Sequence, residues 1–347
     1  RTNSNLPIFV GSPKLFELMN DTTCKTDEKE IGDKEKKRVK VRQIPFNGKT
    51  VELVRFGDIA EVKQGLATGD NDYYLFQNPE ARGSYRSINE YRKYLLTDKD
   101  IERIGNNDEL RMKVIERGFH KSHSEKDFDE DLWFGGRYIV PYDKGGESDT
   151  DTGWLPNYYV PTNYFIDWSQ QAIKRMLSLT IRQRDGGGEN KVCSRFQNIE
   201  YYFKEGISFS ITGIYAPTFR INSVGVFDVK GSYIEPPVCL NLCLGVFCSR
   251  VIKLISKLFI YCCVDMQVDA IKEVPFCFSE NMRIIELVDR IIQKQSKDQY
   301  YDYISNEQKE IDKLVYEMYG LNKYDIREVE TWYARRYPKL ARFCDIK

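Results

Sequence analysis

Histidine is scarce in this chain. The 347 residues hold two, His120 and His123, in the stretch GFHKSHSEKDF. His-x-x-His with no acidic or cysteine partner at ligand spacing reads as a polar surface loop and not a metal centre. Net charge is absent too, because 52 basic residues balance 52 acidic ones. A uniformly basic nucleic-acid coat is thereby excluded. A local basic groove is not, since binding follows where the charge sits. Long apolar runs are also missing. The most apolar stretch, Val238–Val264, is interrupted by Arg250, Lys253 and Lys257, which predicts a buried helix and no membrane span.

The motifs of common catalytic classes are missing as well. GGGE at Gly186–Glu189 follows a charged loop and not an apolar strand, so it fails as a dinucleotide fingerprint. Ser208 and Ser210 have no nucleophile-elbow context. There is no Asn/Asp-Pro-Pro-Tyr/Phe motif to grip a flipped adenine, and no glycine-rich methyl-donor motif. Nine cysteines occur without one Cys-x-x-Cys pair. Their odd number and apolar neighbours indicate reduced thiols in a cytosolic protein. A zinc site from Cys239, Cys243, Cys248 and Cys262 is the weaker alternative. No signal peptide follows Arg1, and a first residue other than Met reads as a cut inside a longer protein.

What is present predicts a mixed α+β protein. Residues 1–50 are highly charged around CKTDEKEIGDKEKKRVKVRQIPF and read as a connector. Residues 51–235 mix short β-type runs with Gly, Pro and Asn turns. In EGISFSITG, Ile207, Phe209 and Ile211 alternate with Ser208, Ser210 and Thr212, the pattern of a half-buried strand. Residues 236–347 read as helical. Ile284, Ile285, Val288, Ile291 and Ile292 share one helix face, and Ser305 with Gln308 three residues later suggests a capping box.

The remaining chemistry is that of recognition. Lys63, Lys144, Arg182, Arg184, Lys191, Arg195, Lys204 and Arg220 lie on or near turns of the β-rich part, interspersed with Gln64, Thr68, Asn71, Gln183, Asn190 and Gln197. Lysine and arginine neutralise phosphates, while Arg, Asn and Gln read base edges in the major groove. Ser208 and Ser210 complete the candidate set. The bland reading is that a chain with 30% charged residues puts charge on every loop. The loop Gly65–Asn71, in RFGDIAEVKQGLATGDNDYYLF, has no Gly-Lys-Thr ending. Either it approaches the DNA backbone, or its glycines only permit tight turns beside the core.

Five motifs in order carry a resemblance: FGDIAEVKQGLATGDNDYYLF, RYIVPYDKGG, YYFKEGISFSITG, TFRINSVGVFDVKGSYI and EIDKLVYEMYGL. Together, over about residues 50–325, they resemble the C-terminal half of type IIG restriction-modification enzymes and of the N6-adenine DNA methyltransferases of BREX phage-exclusion systems. The resemblance implies a β-rich target-recognition domain and a helical spacer, with double-stranded DNA as partner. It further implies a parent methyltransferase domain, outside these residues, that uses S-adenosylmethionine and, on the restriction-modification side of the resemblance, endonuclease activity as well. This chain itself is then non-catalytic. Lys204–Ser210 matches the family's strand best, with Phe209 where the family more often has Trp. The tract Tyr142–Gly146 matches too, but its continuation, ESDTDTGWLPNYYVPTNYFIDW, departs from the family's pattern. The alternative from another class is a protein-interaction module of a phage-defence complex.

Overall fold

A computed structural model describes residues 12–19, 25–33, 36–46, 49–119, 134–145, 155–178, 194–261 and 266–341. The fold is mixed α+β, as expected. Two compact units form, with boundaries that differ from the sequence reading. One comprises Arg1–Glu61, Asp149–Tyr158 and Pro236–Lys347; the other comprises Val62–Ser148 and Tyr159–Glu235.

In the first unit the charged N-terminal region is not a bare connector. Lys25–Ile31, Lys37–Phe46 and Lys49–Arg55 form an antiparallel sheet, which Pro275–Phe276 extends by pairing with Arg55 and Val54. The cause is apolar residues on both faces under the charges. The register puts Ile44, Val51 and Leu53 on one face and Val39 and Val41 on the other, all of them buried, and on the face of Val39 and Val41 Lys29 reaches Glu52 at 2.6 Å. The apolar stretch after Val238 is helical but broken. Leu240–Phe247 stops before Ser249, whose hydroxyl accepts from the Ile252 N–H at 3.4 Å and caps Arg250–Ile255. Gly245 permits a close helix crossing, because a Cβ there would lie 2.3 Å from Ile284 Cγ2.

The helix Met282–Gln295 buries Ile284, Leu287, Val288 and Ile291, so its stripe is centred closer to Leu287 than the isoleucines alone suggested. The expected capping box at Ser305 is not formed. The helix Glu307–Met318 starts after Asn306 without a side-chain cap. Gln308 is used elsewhere, accepting from the Tyr158 hydroxyl at 2.8 Å and donating to Asp312 at 3.3 Å. A capping box does form at Asn322 and Asp325, ahead of Lys323–Arg336.

The second unit holds two sheets. One is ordered Val226–Phe227, Ile139–Asp143, Tyr164–Asp167, Leu75–Gln77, Arg86–Ser87; the other is ordered Phe219–Ile221, Ile207–Ser210, Gly231–Glu235, Glu61–Lys63. Their core is aromatic. Trp168, Tyr202, Phe203, Phe227 and Tyr233 are buried together with the helix Gln170–Ser178 through Ile173 and Met176. The Trp168 indole donates to the Val114 carbonyl at 3.0 Å, which meets the polar requirement of a buried Trp. Ile207–Ser210 is buried on both faces, not half-buried, because it is a central strand. Ser210 is accommodated there by a 2.6 Å hydrogen bond with Thr218. Among the described residues, no helix is long and apolar enough to cross a membrane.

Candidate nucleic-acid interface

The glycines of the Gly65–Asn71 loop have structural causes. A Cβ on Gly65 would lie 1.8 Å from the Phe227 carbonyl oxygen, so only glycine lets the loop reach that strand. There the Leu66 N–H donates to the same oxygen at 2.8 Å. Gly69 has φ of +77°, the left-handed region that glycine enters without strain. Thr68 is buried, and its hydroxyl lies 2.5 Å from Asn71 Oδ1. It is a fastener of the turn, with no free face for a phosphate. Asp70 then caps the short helix Asn71–Tyr74, accepting the Tyr73 N–H at 3.2 Å.

A second segment is zipped onto this loop. Ala67 and Arg195 exchange backbone hydrogen bonds at 3.1 and 2.8 Å. Asn198 donates to the Gln64 carbonyl at 2.8 Å, and Gln197 donates to the Gly65 carbonyl at 3.3 Å. Ser194 donates to the Thr68 carbonyl. The Arg195 side chain stays exposed. Arg182, Gln183, Arg184, Asn190 and Lys191 lie outside the described residues. The two stems that bracket them are described, and both meet the same loop. Arg195 does so on one stem. On the other, the helix Gln170–Ser178 places Arg175 against Asp70 Oδ2 at 3.2 Å and over the Tyr73 ring at 3.6 Å. Arg86 joins the group by donating to the Tyr73 carbonyl.

Two further cation–aromatic groups occur in this unit. Lys63 and Lys204 both approach the Tyr201 ring, at 5.2 and 5.1 Å from its centroid. Lys204 also faces Glu235 at 3.7 Å. Lys144 lies 4.3 Å from the Tyr85 centroid and 5.3 Å from that of Tyr164, with its ammonium 2.5 Å from the Tyr85 hydroxyl. Partly exposed cations on aromatic faces are held in place, and they can neutralise phosphate.

Besides Thr68, three candidates turn out to be interior. Arg220, 4% exposed, donates to Asp143 Oδ1 at 2.6 Å. Ser208 donates to the Gly231 carbonyl at 3.4 Å, and Ser210 is spent on Thr218. Their place on a central strand and its neighbour buries them, and they are withdrawn from the interface. The Asp143-Lys144-Gly145 turn is fixed from beneath instead. The Asp228 N–H donates to the Asp143 carbonyl at 2.9 Å, and Tyr142 donates to Asp228 Oδ2 at 2.8 Å. Burial pushes the Asp228 carboxyl up, against hydrogen bonds from the Lys230 N–H and Tyr142 and the charges of Lys144 and Lys230. Gly145, at φ +79°, lies where a Cβ would meet the Lys230 carbonyl at 2.4 Å.

No protein-family model matches the chain, and no curated protein matches it. Sequence reasoning missed Asp70, Tyr73, Arg86, Arg175, Tyr85, Tyr164 and Tyr201. The one local signal was the Asp-Asn-Asp-Tyr-Tyr run at Asp70–Tyr74, an N-cap followed by exposed aromatic surface. Its arginine partner lies 105 positions away from Asp70 in the chain. Among the described cysteines, Cys239, Cys243, Cys248 and Cys277 are free thiols. Burial pushes the Cys243 thiol up, the state of an unreactive core cysteine.

Proposed function

We propose that this chain is the double-stranded DNA recognition module of an N6-adenine DNA methyltransferase of the type IIG or BREX kind. The observation that carries the proposal is the convergence at one loop. Gly65–Tyr74 anchors both stems of the basic, glycine-rich stretch IRQRDGGGENKVCSR (Ile181–Arg195), with Arg175 on one side and Arg195 on the other. A stretch of that composition, with a cation at each of its two roots, suits phosphate positioning and base-edge contact. The order of sequence motifs points to the same family. In this reading methyl transfer from S-adenosylmethionine belongs to a domain outside these residues, and this chain holds the duplex in register for it.

The test is binding of the full chain to fluorescent duplexes over a salt series. Affinity is expected to fall linearly in log–log form with added salt, with a slope of about −0.9 per phosphate contact. A pool of duplexes with a randomised centre is expected to yield a preferred site. Absence of binding at low salt would sink the proposal. So would label transfer from S-adenosylmethionine to duplex DNA by the purified chain alone, for the non-catalytic part of it.

A further inference from the structure

Arg175 was not singled out by its sequence context, and it is an exposed cation of the loop cluster held by both a ring and a carboxylate. Its guanidinium lies 3.6 Å over the Tyr73 ring, and Nη2 donates to Asp70 Oδ2 at 3.2 Å. The other oxygen of the same carboxylate accepts the Tyr73 N–H at 3.2 Å. One aspartate therefore fixes the helix start, the aromatic platform and the arginine. The group is nonetheless open, with side-chain exposures of 41% for Arg175 and 37% for Asp70, and 42% exposure for Tyr73.

From this geometry we propose that Arg175 reads a guanine in the major groove of the bound duplex, with Tyr73 and Asp70 as positioning residues. This rests on the DNA-recognition reading above. A free arginine loses much rotamer freedom when it forms a bidentate contact; one already stacked and hydrogen-bonded loses less. Asp70 occupies part of the guanidinium, and the remaining N–H groups match the two acceptors, O6 and N7, on the major-groove edge of guanine. A phosphate is the poorer ligand for this particular cation. The Asp70 carboxylate touches it, exposed Asp72 is two residues on, and both repel a fully charged phosphate more strongly than an uncharged base edge. Phosphate contact falls instead to Arg195, and to Arg86, which stacks over the Phe76 ring at 4.1 Å.

The experiment starts with selection of bound duplexes from the randomised pool by the wild-type chain. A fixed G·C pair is expected in the selected site. Affinities are then measured for that site, for the site with this pair changed, and for the site carrying 7-deazaguanine at the guanine. Wild type, Arg175→Ala, Arg175→Lys and Arg86→Ala are compared over a salt series. For wild type, the changed pair is expected to weaken binding roughly 5- to 150-fold, and the missing N7 to weaken it severalfold. Arg175→Ala and Arg175→Lys are each expected to bind all three duplexes about equally. Arg86→Ala is expected to weaken all three alike and to reduce the salt slope by about one. The 7-deazaguanine arm needs no variant to fold. If wild type ignores that substitution at every selected guanine, the proposal is overturned. Uniform weakening by Arg175→Ala with a smaller salt slope would overturn it in favour of a phosphate contact. Unchanged binding would leave the group a stiffener of the helix Asn71–Tyr74 and overturn it too. Wild type that binds no DNA brings down the recognition reading itself, and this inference with it.

Discussion

Arg220 and Asp143 form an ion pair of 2.6 Å inside the β-rich unit, with side-chain exposures of 5% and 3%. The pair sits under the turn that carries Lys144, and Asp143 Oδ1 also accepts the Gly145 N–H at 3.3 Å. Removing one member strands the other charge in a buried site. Arg220→Met is therefore expected to cost about 3–5 kcal/mol, and the double change with Asp143→Leu to recover much of that. Urea denaturation of the three proteins measures both. A single-variant loss under about 1 kcal/mol would show that the turn relaxes and admits solvent.

Two glycines give opposite expectations. Gly65→Ala puts a Cβ 1.8 Å from a backbone oxygen of the neighbouring strand, and backbone cannot step aside as a side chain can. A loss of about 3 kcal/mol or more is expected, with poor soluble yield. Gly105 ends the helix Asp98–Gly105, and the nearest atom to its added Cβ is the Phe203 carbonyl oxygen at an ordinary 3.5 Å. Gly105→Ala is expected to stabilise by about 0.5–1 kcal/mol. Thermal melts of the two variants beside the wild type decide the matter, and equal shifts would contradict the packing described.

The fold class was legible because the strongest periodic segments lie where burial is strongest, at Ile207–Ser210 and along Met282–Gln295. The sheet of residues 25–55 was hidden by its charges. Arg42 stands among the lysines of Lys37–Phe46 yet is buried, donating to the Leu18 carbonyl at 2.9 Å. No window of composition distinguishes it from its solvated neighbours. The candidate site was legible in part. Lys63, Lys144, Arg195 and Lys204 do occupy turns or strand ends, whereas Arg220 looked equivalent and is interior. Basic residues are alike in sequence, and the sheet register decides which face they take. The Tyr73–Arg175 contact joins distant segments, so no local pattern announces it.

Two buried ionisable groups of the other unit give a pH signature. Burial pushes the Asp312 carboxyl up to about 6, although Arg250 beside it works the other way. A carboxylic acid that keeps its proton longer in the folded state stabilises fully below its unfolded value, near 4, and loses that contribution as pH rises through 6. Lys253 is pushed down to about 7 by burial, with Lys257 adding to the shift. Its contribution is present above the unfolded value, near 10.4, and is lost as pH falls through 7. Stability is thus expected to fall between pH 4 and 6 in the wild type and less steeply in Asp312→Asn. It is expected to rise from pH 7 towards pH 10 in the wild type and to be flatter in Lys253→Met, the difference being at most about 1.4 kcal/mol per pH unit. Urea denaturation at each pH reads these slopes, and variants parallel to the wild type throughout would refute the assignment.

Lys63 and Lys204 on the two approaches to Tyr201 make the clearest test of a phosphate-positioning surface. Both ammonium groups lie about 5 Å from the ring centroid, and Lys204 also faces the Glu235 carboxylate at 3.7 Å. Lys63→Ala is expected to weaken every duplex alike and to reduce the salt slope by about 0.9, the mark of one lost counterion-release contact. Lys204→Ala is expected to do the same and, by leaving Glu235 uncompensated, to weaken binding more. Glu235→Gln is expected to strengthen binding and steepen the slope, because Lys204 no longer shares its charge. None of the three is expected to change which sequence is selected, since phosphate contacts position a protein without reading bases. Fluorescence anisotropy on the selected site and a scrambled duplex, at several salt concentrations, separates the cases. If Lys63→Ala leaves both affinity and slope where they were, the Tyr201 surface lies off the DNA path, and the interface is confined to the loop at Asp70, Tyr73, Arg175 and Arg195.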